Sequence, residues 1–213
     1  MKLRSFNARR IGMLISSLCV FGLLTSPSMP TEVKFFEEPV VEKKVAELPS
    51  GALYWRLENF PTLARAQGAE GPTSLAAEVA GKIWLFTLGP KDGATAGGIK
   101  VVEIGPLPIG TPFPPLNASE YLLRVSHAGG APGAKTPIHK HPGPEAFYVL
   151  SGKLGMNTNM GVSYAETGTT ILGPWTGVHA PMELFNAGTI DLEALAIFVG
   201  DANRPFSSPA TLF

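Results

Sequence analysis

The chain has 213 residues, 45% of them apolar and 16% charged, which is enough apolar material for one cored domain and too much for global disorder. A formal net charge of zero leaves no basic footprint for nucleic acid. The 24 glycines and 20 prolines, without a collagen-like period, predict many turns between short strands.

In chain order, Lys2, Arg4, Arg9 and Arg10 come before the first acidic residue, Glu32. An apolar run over 11–24 follows, broken by Ser16, Ser17, Cys19 and Gly22. A basic start, a short apolar stretch and then Thr25-Ser26-Pro27-Ser28 predict a secretory signal peptide over 1–28. The run is shorter than the roughly 20 apolar residues of a membrane span. An uncleaved N-terminal anchor is the competing reading, and Arg9-Arg10 allows a twin-arginine version of the signal. Loss of 1–28 leaves 13 basic against 17 acidic residues and removes the one cysteine, Cys19. The mature protein, expected to be secreted or periplasmic and free of membrane, would then have no disulfide and no thiolate ligand.

Residues 29–81 predict a linker and N-terminal arm with short helices. Pro30, Pro39 and Pro49, with Glu37-Glu38 and Lys43-Lys44, give its first part a solvated character. Two helix-prone stretches, 62–67 and 74–79, flank Gly68, Gly71 and Pro72. From Lys82 the texture changes to short β-prone runs at 83–88, 101–104, 121–125, 146–150, 162–166 and 192–199. Pro90-Lys91-Asp92-Gly93, Gly129-Gly130, Ser151-Gly152 and 157–161 are the turn signals between them. Such spacing predicts an all-β sandwich or closed barrel over 82–213, with the short, partly helical extension before it. No internal repeat suggests a second barrel. The 83–88 run reads equally as core or as a homodimer interface, and Asn117-Ala118-Ser119 fits the N-glycosylation pattern.

The stretch that carries chemistry is GAKTPIHKHPGPEAFYVLSG, residues 133–152. His139 and His141 are two apart, which on a strand puts both imidazoles on one face. Glu145 follows a Pro142-Gly143-Pro144 turn that can return it beside them. Neutral imidazoles and a carboxylate suit a first-row divalent metal. A fourth ligand must come from elsewhere, and His179 is the available candidate. The remaining histidine, His127, ends a strand before a glycine-rich loop and reads as structural or exposed.

This stretch resembles the first motif of the cupin superfamily, G-x5-H-x-H-x3-E-x6-G, at every specified position: Gly133, His139, His141, Glu145 and Gly152. The second motif, G-x5-P-x-G-x2-H-x3-N, is matched in part by Gly168, Pro174 and His179. Thr176 stands in place of its middle glycine and Glu183 in place of its asparagine. The resemblance is to small single-domain bacterial cupins. It implies a jelly-roll-like β-barrel with a metal inside one mouth, held by His139, His141, Glu145 and His179.

Strand alternation would place Phe147 and Val149 on the face of Glu145, and Pro181, Glu183 and Phe185 on that of His179. Glu183 then becomes the candidate catalytic residue, as a general base or as a carboxylate orienting a histidine; an outward-facing glutamate is the bland reading. Phe147, Phe185, Phe198 and Trp175 would line an apolar pocket for a small organic ligand, or simply form core. Four protein ligands leave positions open on a six-coordinate metal, as a catalytic metal requires. The expectation is a metal-dependent oxygenase or isomerase acting on a small molecule. A non-catalytic module binding a small ligand or metal is the alternative, and a structural or storage role the third reading. Iron, manganese, nickel, copper, cobalt and zinc all accept this ligand set.

Overall fold

A computed structural model describes residues 33–109, 116–174 and 180–213. Within them the elements run β1 Phe36–Val45, β2 Leu53–Phe60, α1 Leu63–Gly68, β3 Ser74–Val79, β4 Lys82–Pro90, β5 Ile99–Ile104 and β6 Tyr121–Gly130. They continue as β7 His139–Lys140, β8 Glu145–Ser151, β9 Lys153–Thr158, β10 Gly161–Glu166, β11 Thr170–Leu172, β12 Met182–Asn186, β13 Leu192–Asp201 and β14 Ser208–Pro209. Each of the six β-prone runs read from the sequence lies in a strand. The signal over 1–28 lies outside the described residues.

Three antiparallel sheets form, in the orders β1-β6-β13-β8-β11, β10-β9-β12-β7-β14 and β3-β4-β2-β5. The first two face each other around Ala128, Phe147, Val149, Met156, Met182 and Leu184, giving a jelly-roll-like sandwich and not a closed barrel. The third packs Trp55, Leu57, Trp84 and Phe86 onto the other face of the first, against Leu123, Val125, Leu195 and Ile197. β13 shows why this is possible. Ala194, Ala196 and Phe198 point to one side, Leu195, Ile197 and Val199 to the other, and all are buried. A near-continuous apolar run is what a strand covered on both faces needs. The 83–88 run is likewise largely core: Trp84, Leu85, Phe86 and Leu88 are buried.

The arm differs from expectation. Residues 62–67 coincide with α1, whose first turn is capped by Thr62, its hydroxyl accepting from the Arg65 N–H. Ser74–Val79 is a strand and not a helix. It pairs with β4 across Ala80-Gly81, both at positive φ (50° and 69°), as a two-residue hairpin turn requires. Cross-strand packing of Leu75, Ala77 and Val79 into the core outweighs the high helix propensity of Leu75, Ala76, Ala77 and Glu78. The charged stretch that read as solvated linker contains β1, which pairs along β6 with a bulge between Pro39 and Val41.

Candidate metal centre

His139 and His141 enter the pocket from β7 and the residue after it, and Glu145 opens β8. All three are buried, at 8%, 4% and 2% exposure. The Pro142-Gly143-Pro144 turn is clamped to the end of β13, where the N–H groups of Val199 and Asp201 donate to the carbonyls of Pro144 and Pro142. A Cβ on Gly143 would run into the Val199 carbonyl and the Gly200 backbone. Glycine therefore lets the turn lie flat enough for Glu145 to come back beside the histidines. One Glu145 oxygen stands 3.3 Å from His141 Nε2, and the two imidazoles meet edge-on with centroids 4.8 Å apart.

Both rings are held by backbone carbonyls. His139 Nδ1 lies 2.8 Å from the Pro137 carbonyl and His141 Nδ1 2.7 Å from that of Phe206. A carbonyl only accepts, so each Nδ1 carries the proton, and Nε2 is the nitrogen left for a metal in the neutral ring. Burial lowers the His139 pKa below its ordinary value. Burial also opposes charge on His141, but the Glu145 carboxylate, with the Phe206 carbonyl and Glu37, outweighs it and raises the pKa. Glu145 and His141 thus form a close buried pair.

Glu37, on β1, also reaches this pocket. It pairs with Ala128, whose side chain lies in the inner cluster. Burial, then the charge of Glu145, push its carboxyl up to about 8, against His141, the Ser126 hydroxyl and Arg124. Glu37 and His139 line a cavity of about 300 Å³ with Thr136, Ile138 and Ser208. The C-terminal segment closes the other side. Phe206 packs on His141 and Phe198, with centroids 4.6 and 5.1 Å away, and the Arg124 guanidinium lies 4.0 Å over its ring. Arg124 is also paired with Glu42 at 2.8 Å.

The structure thus brings together His139, His141 and Glu145. His179 lies outside the described residues, as does Trp175. Among the described residues no three His, Cys, Asp or Glu form a group arranged to hold a metal ion. The donor types are nevertheless those a metal takes: two imidazoles with Nδ1 engaged on carbonyls and a buried carboxylate beside them. Glu183 is not part of this group. Met182 pairs with His139 and shares its face, so the next residue points the other way, where Lys135 Nζ is 3.4 Å from Glu183. Phe185 is turned outward with it, edge-on to Tyr164. Phe147 and Val149 do share the buried face of Glu145. His127 sits on the opposite face of β6, edge-on to Phe36. Sequence reasoning missed Glu37, Arg124 and Phe206. A Glu-Glu pair in a charged stretch carries no mark of which member is buried, and Phe206 acts through its carbonyl.

Two facing antiparallel sheets hold the His-x-His and Glu pocket between them. Residues 129–198 match the family model of the cupin domain. No curated protein matches the chain. Similar solved structures include a cupin-like protein of Thermotoga maritima, at 19% identity and TM-score 0.37 over 42% of this chain and 65% of that one. The polyketide cyclase RemF of Streptomyces resistomycificus is similar at 20% identity and TM-score 0.35, over 43% and 62%. The DMSP lyase DddQ of Ruegeria pomeroyi is similar at 18% and 0.36, over 41% and 43%. Each match spans under two thirds of the solved chain.

Proposed function

We propose that this protein binds one divalent transition metal through His139, His141 and Glu145, with His179 as the fourth ligand, and acts on a small organic molecule as a metal-dependent oxygenase or isomerase. The observation that carries the reading is the buried Glu145 carboxylate, 3.3 Å from an imidazole whose other nitrogen is tied to a backbone carbonyl. A buried carboxylate is costly unless a cation compensates it, and a metal beside the two imidazoles would do so. Such a metal supplies Lewis-acid or redox chemistry. The protein's own part is to fix both imidazoles by their Nδ1 protons, to exclude water with Phe147, Phe198 and Phe206, and to admit a small molecule through the cavity beside His139. The segment 1–28 is proposed to direct export, so that the mature chain works outside the cytoplasm.

Elemental analysis tests the metal directly. The purified mature protein is expected to carry about one divalent ion per chain, and His139→Ala plus His141→Ala to lose it. Unchanged metal in the double variant overturns the proposal. Oxygen uptake together with product analysis, by fully loaded protein against a panel of phenolic compounds, then separates enzyme from binding module: neither oxygen uptake nor an isomerised product at full loading assigns it to the module. Mass spectrometry of exported protein is expected to find an N-terminus beyond residue 24, and an intact N-terminus there removes the cleaved-signal reading.

A further inference from the structure

We propose that the C-terminal segment 204–213 is a gate over the histidine pocket, swinging off β7 to join two separate voids into one ligand pocket that reaches both imidazoles; the inference rests on the reading of this pocket as the working site. The segment leaves β13 at a pinned root. The Ala202 N–H donates to the Glu120 carbonyl, that of Arg204 to the Asp201 carbonyl, and the Asn203 side-chain amide to the Ser119 hydroxyl. Asn203, Arg204 and Pro205 are then exposed, and the chain rejoins the sheet through the two-residue edge strand β14, paired with β7 alone. Pro209, opposite His139, has no N–H to give to that ladder. The Ala210 N–H reaches the Ile138 carbonyl at 3.1 Å, and the Phe213 N–H an exposed Asn159 side chain. A short edge held this way opens at far less cost than a strand buried on both faces, such as β13.

What lies under the segment gives its opening a consequence. The cavity of about 300 Å³ beside His139 is walled on one side by Ser207, Ser208 and Pro209. A second void, of about 50 Å³, lies beside His141 between Lys140, Pro142, Arg204 and Ser208. Ser208 borders both, so the segment is the partition between them. Phe206 is the wedge that holds it down. Its ring packs on His141 and Phe198 beneath the Arg124 guanidinium, and its carbonyl takes His141 Nδ1. With the segment closed, His141 is 4% exposed and Glu145 2%, and the imidazole bordering the larger cavity is that of His139. Lifting the segment removes the shared wall, uncovers His141 and withdraws the carbonyl that orients its ring. Entry and orientation are thereby coupled: His141 is fixed in place only once the gate has closed over its ligand.

The test uses the full mature chain without metal, so that access is read whether or not metal binds. Lys140→Cys plus Ser208→Cys places thiols at directly paired positions, where the Cα separation of an antiparallel pair suits a disulfide. The chain beyond residue 28 has no other cysteine. Carbethoxylation by diethyl pyrocarbonate, followed for each histidine by mass spectrometry at one pH, compares the oxidised and reduced forms of this variant. Oxidation is expected to slow modification of His141 at least about tenfold and to leave that of His127, on the opposite face of β6, unchanged. Phe206→Ala removes the wedge and needs no disulfide. It is expected to speed both His141 modification and Ala210 amide exchange about tenfold, while the amides of β13 keep their rates. Equal His141 rates in the oxidised and reduced forms, or wild-type rates at His141 and Ala210 in Phe206→Ala, overturn the gate. These changes in a protein that takes up no metal overturn the metal-binding reading and leave the gate standing; their absence from a protein that loads metal normally overturns the gate alone.

Discussion

At the scale of single residues, the centre is governed by what each polar atom can be satisfied by. His139 and His141 spend Nδ1 on carbonyls, and Glu145 pairs with His141. The titration of Glu37 makes a measurable consequence. Its ordinary value is 4.5 and the fold holds it near 8, so the acid form is preferred when folded. A raised pKa contributes stability that is fully present below about 4.5 and is lost as pH climbs through about 8. His141, also raised, works in the same direction, whereas the lowered His139 favours the fold above its ordinary value and opposes them. The metal-free protein is therefore expected to lose stability between mildly acidic and mildly basic pH in urea denaturation, and Glu37→Gln to flatten that slope. An equally steep slope in the variant excludes Glu37 as its source.

At the scale of elements, the pocket depends on two connections. The 142–144 turn must lie flat on β13, and Gly143→Ala is expected to cost about 1–3 kcal/mol by overpacking against the Val199 carbonyl and to weaken metal binding. A denaturation midpoint equal to wild type contradicts this close approach. The C-terminal segment supplies the acceptor that orients His141. A chain ending at Asn203 loses that carbonyl, and its metal affinity is expected to fall about 10- to 100-fold while its far-ultraviolet circular dichroism stays β-rich. Phe206→Ala keeps the carbonyl and is expected to lose less, because only the ring packing on His141 and Phe198 disappears.

At the scale of the whole molecule, the third sheet is tied to the first by a shared core. Trp84 is 1% exposed and packs edge-on to Tyr148 of β8, with centroids 6.1 Å apart. Trp84→Ala is expected to cost about 3–5 kcal/mol. Because its core is shared with β6, β8 and β13, the loss should appear as one cooperative transition that includes the metal pocket. Two separated transitions by tryptophan fluorescence and by metal release would show that the sheets fold independently.

Much of this was legible in the chain itself. Short β-prone runs between glycine and proline turn signals mark β6, β8, β10 and β13, because β-branched and aromatic residues between turn formers favour strands locally. His139, His141 and Glu145 are readable as one group because their proximity is local, set by a strand step and a three-residue turn. What depends on distant partners was not readable. Ser74–Val79 became a strand because β4 offered it a partner, and β1 became one because β6 did. Glu183 faces away from the histidines because Met182 takes the inward place opposite His139, a matter of register that no local pattern carries. Glu37 enters the pocket only through the pairing of β1 with β6, across a separation that sequence spacing cannot express. The local chemistry of the metal motif was determined by sequence alone; which additional side chains surround it was decided by long-range strand pairing.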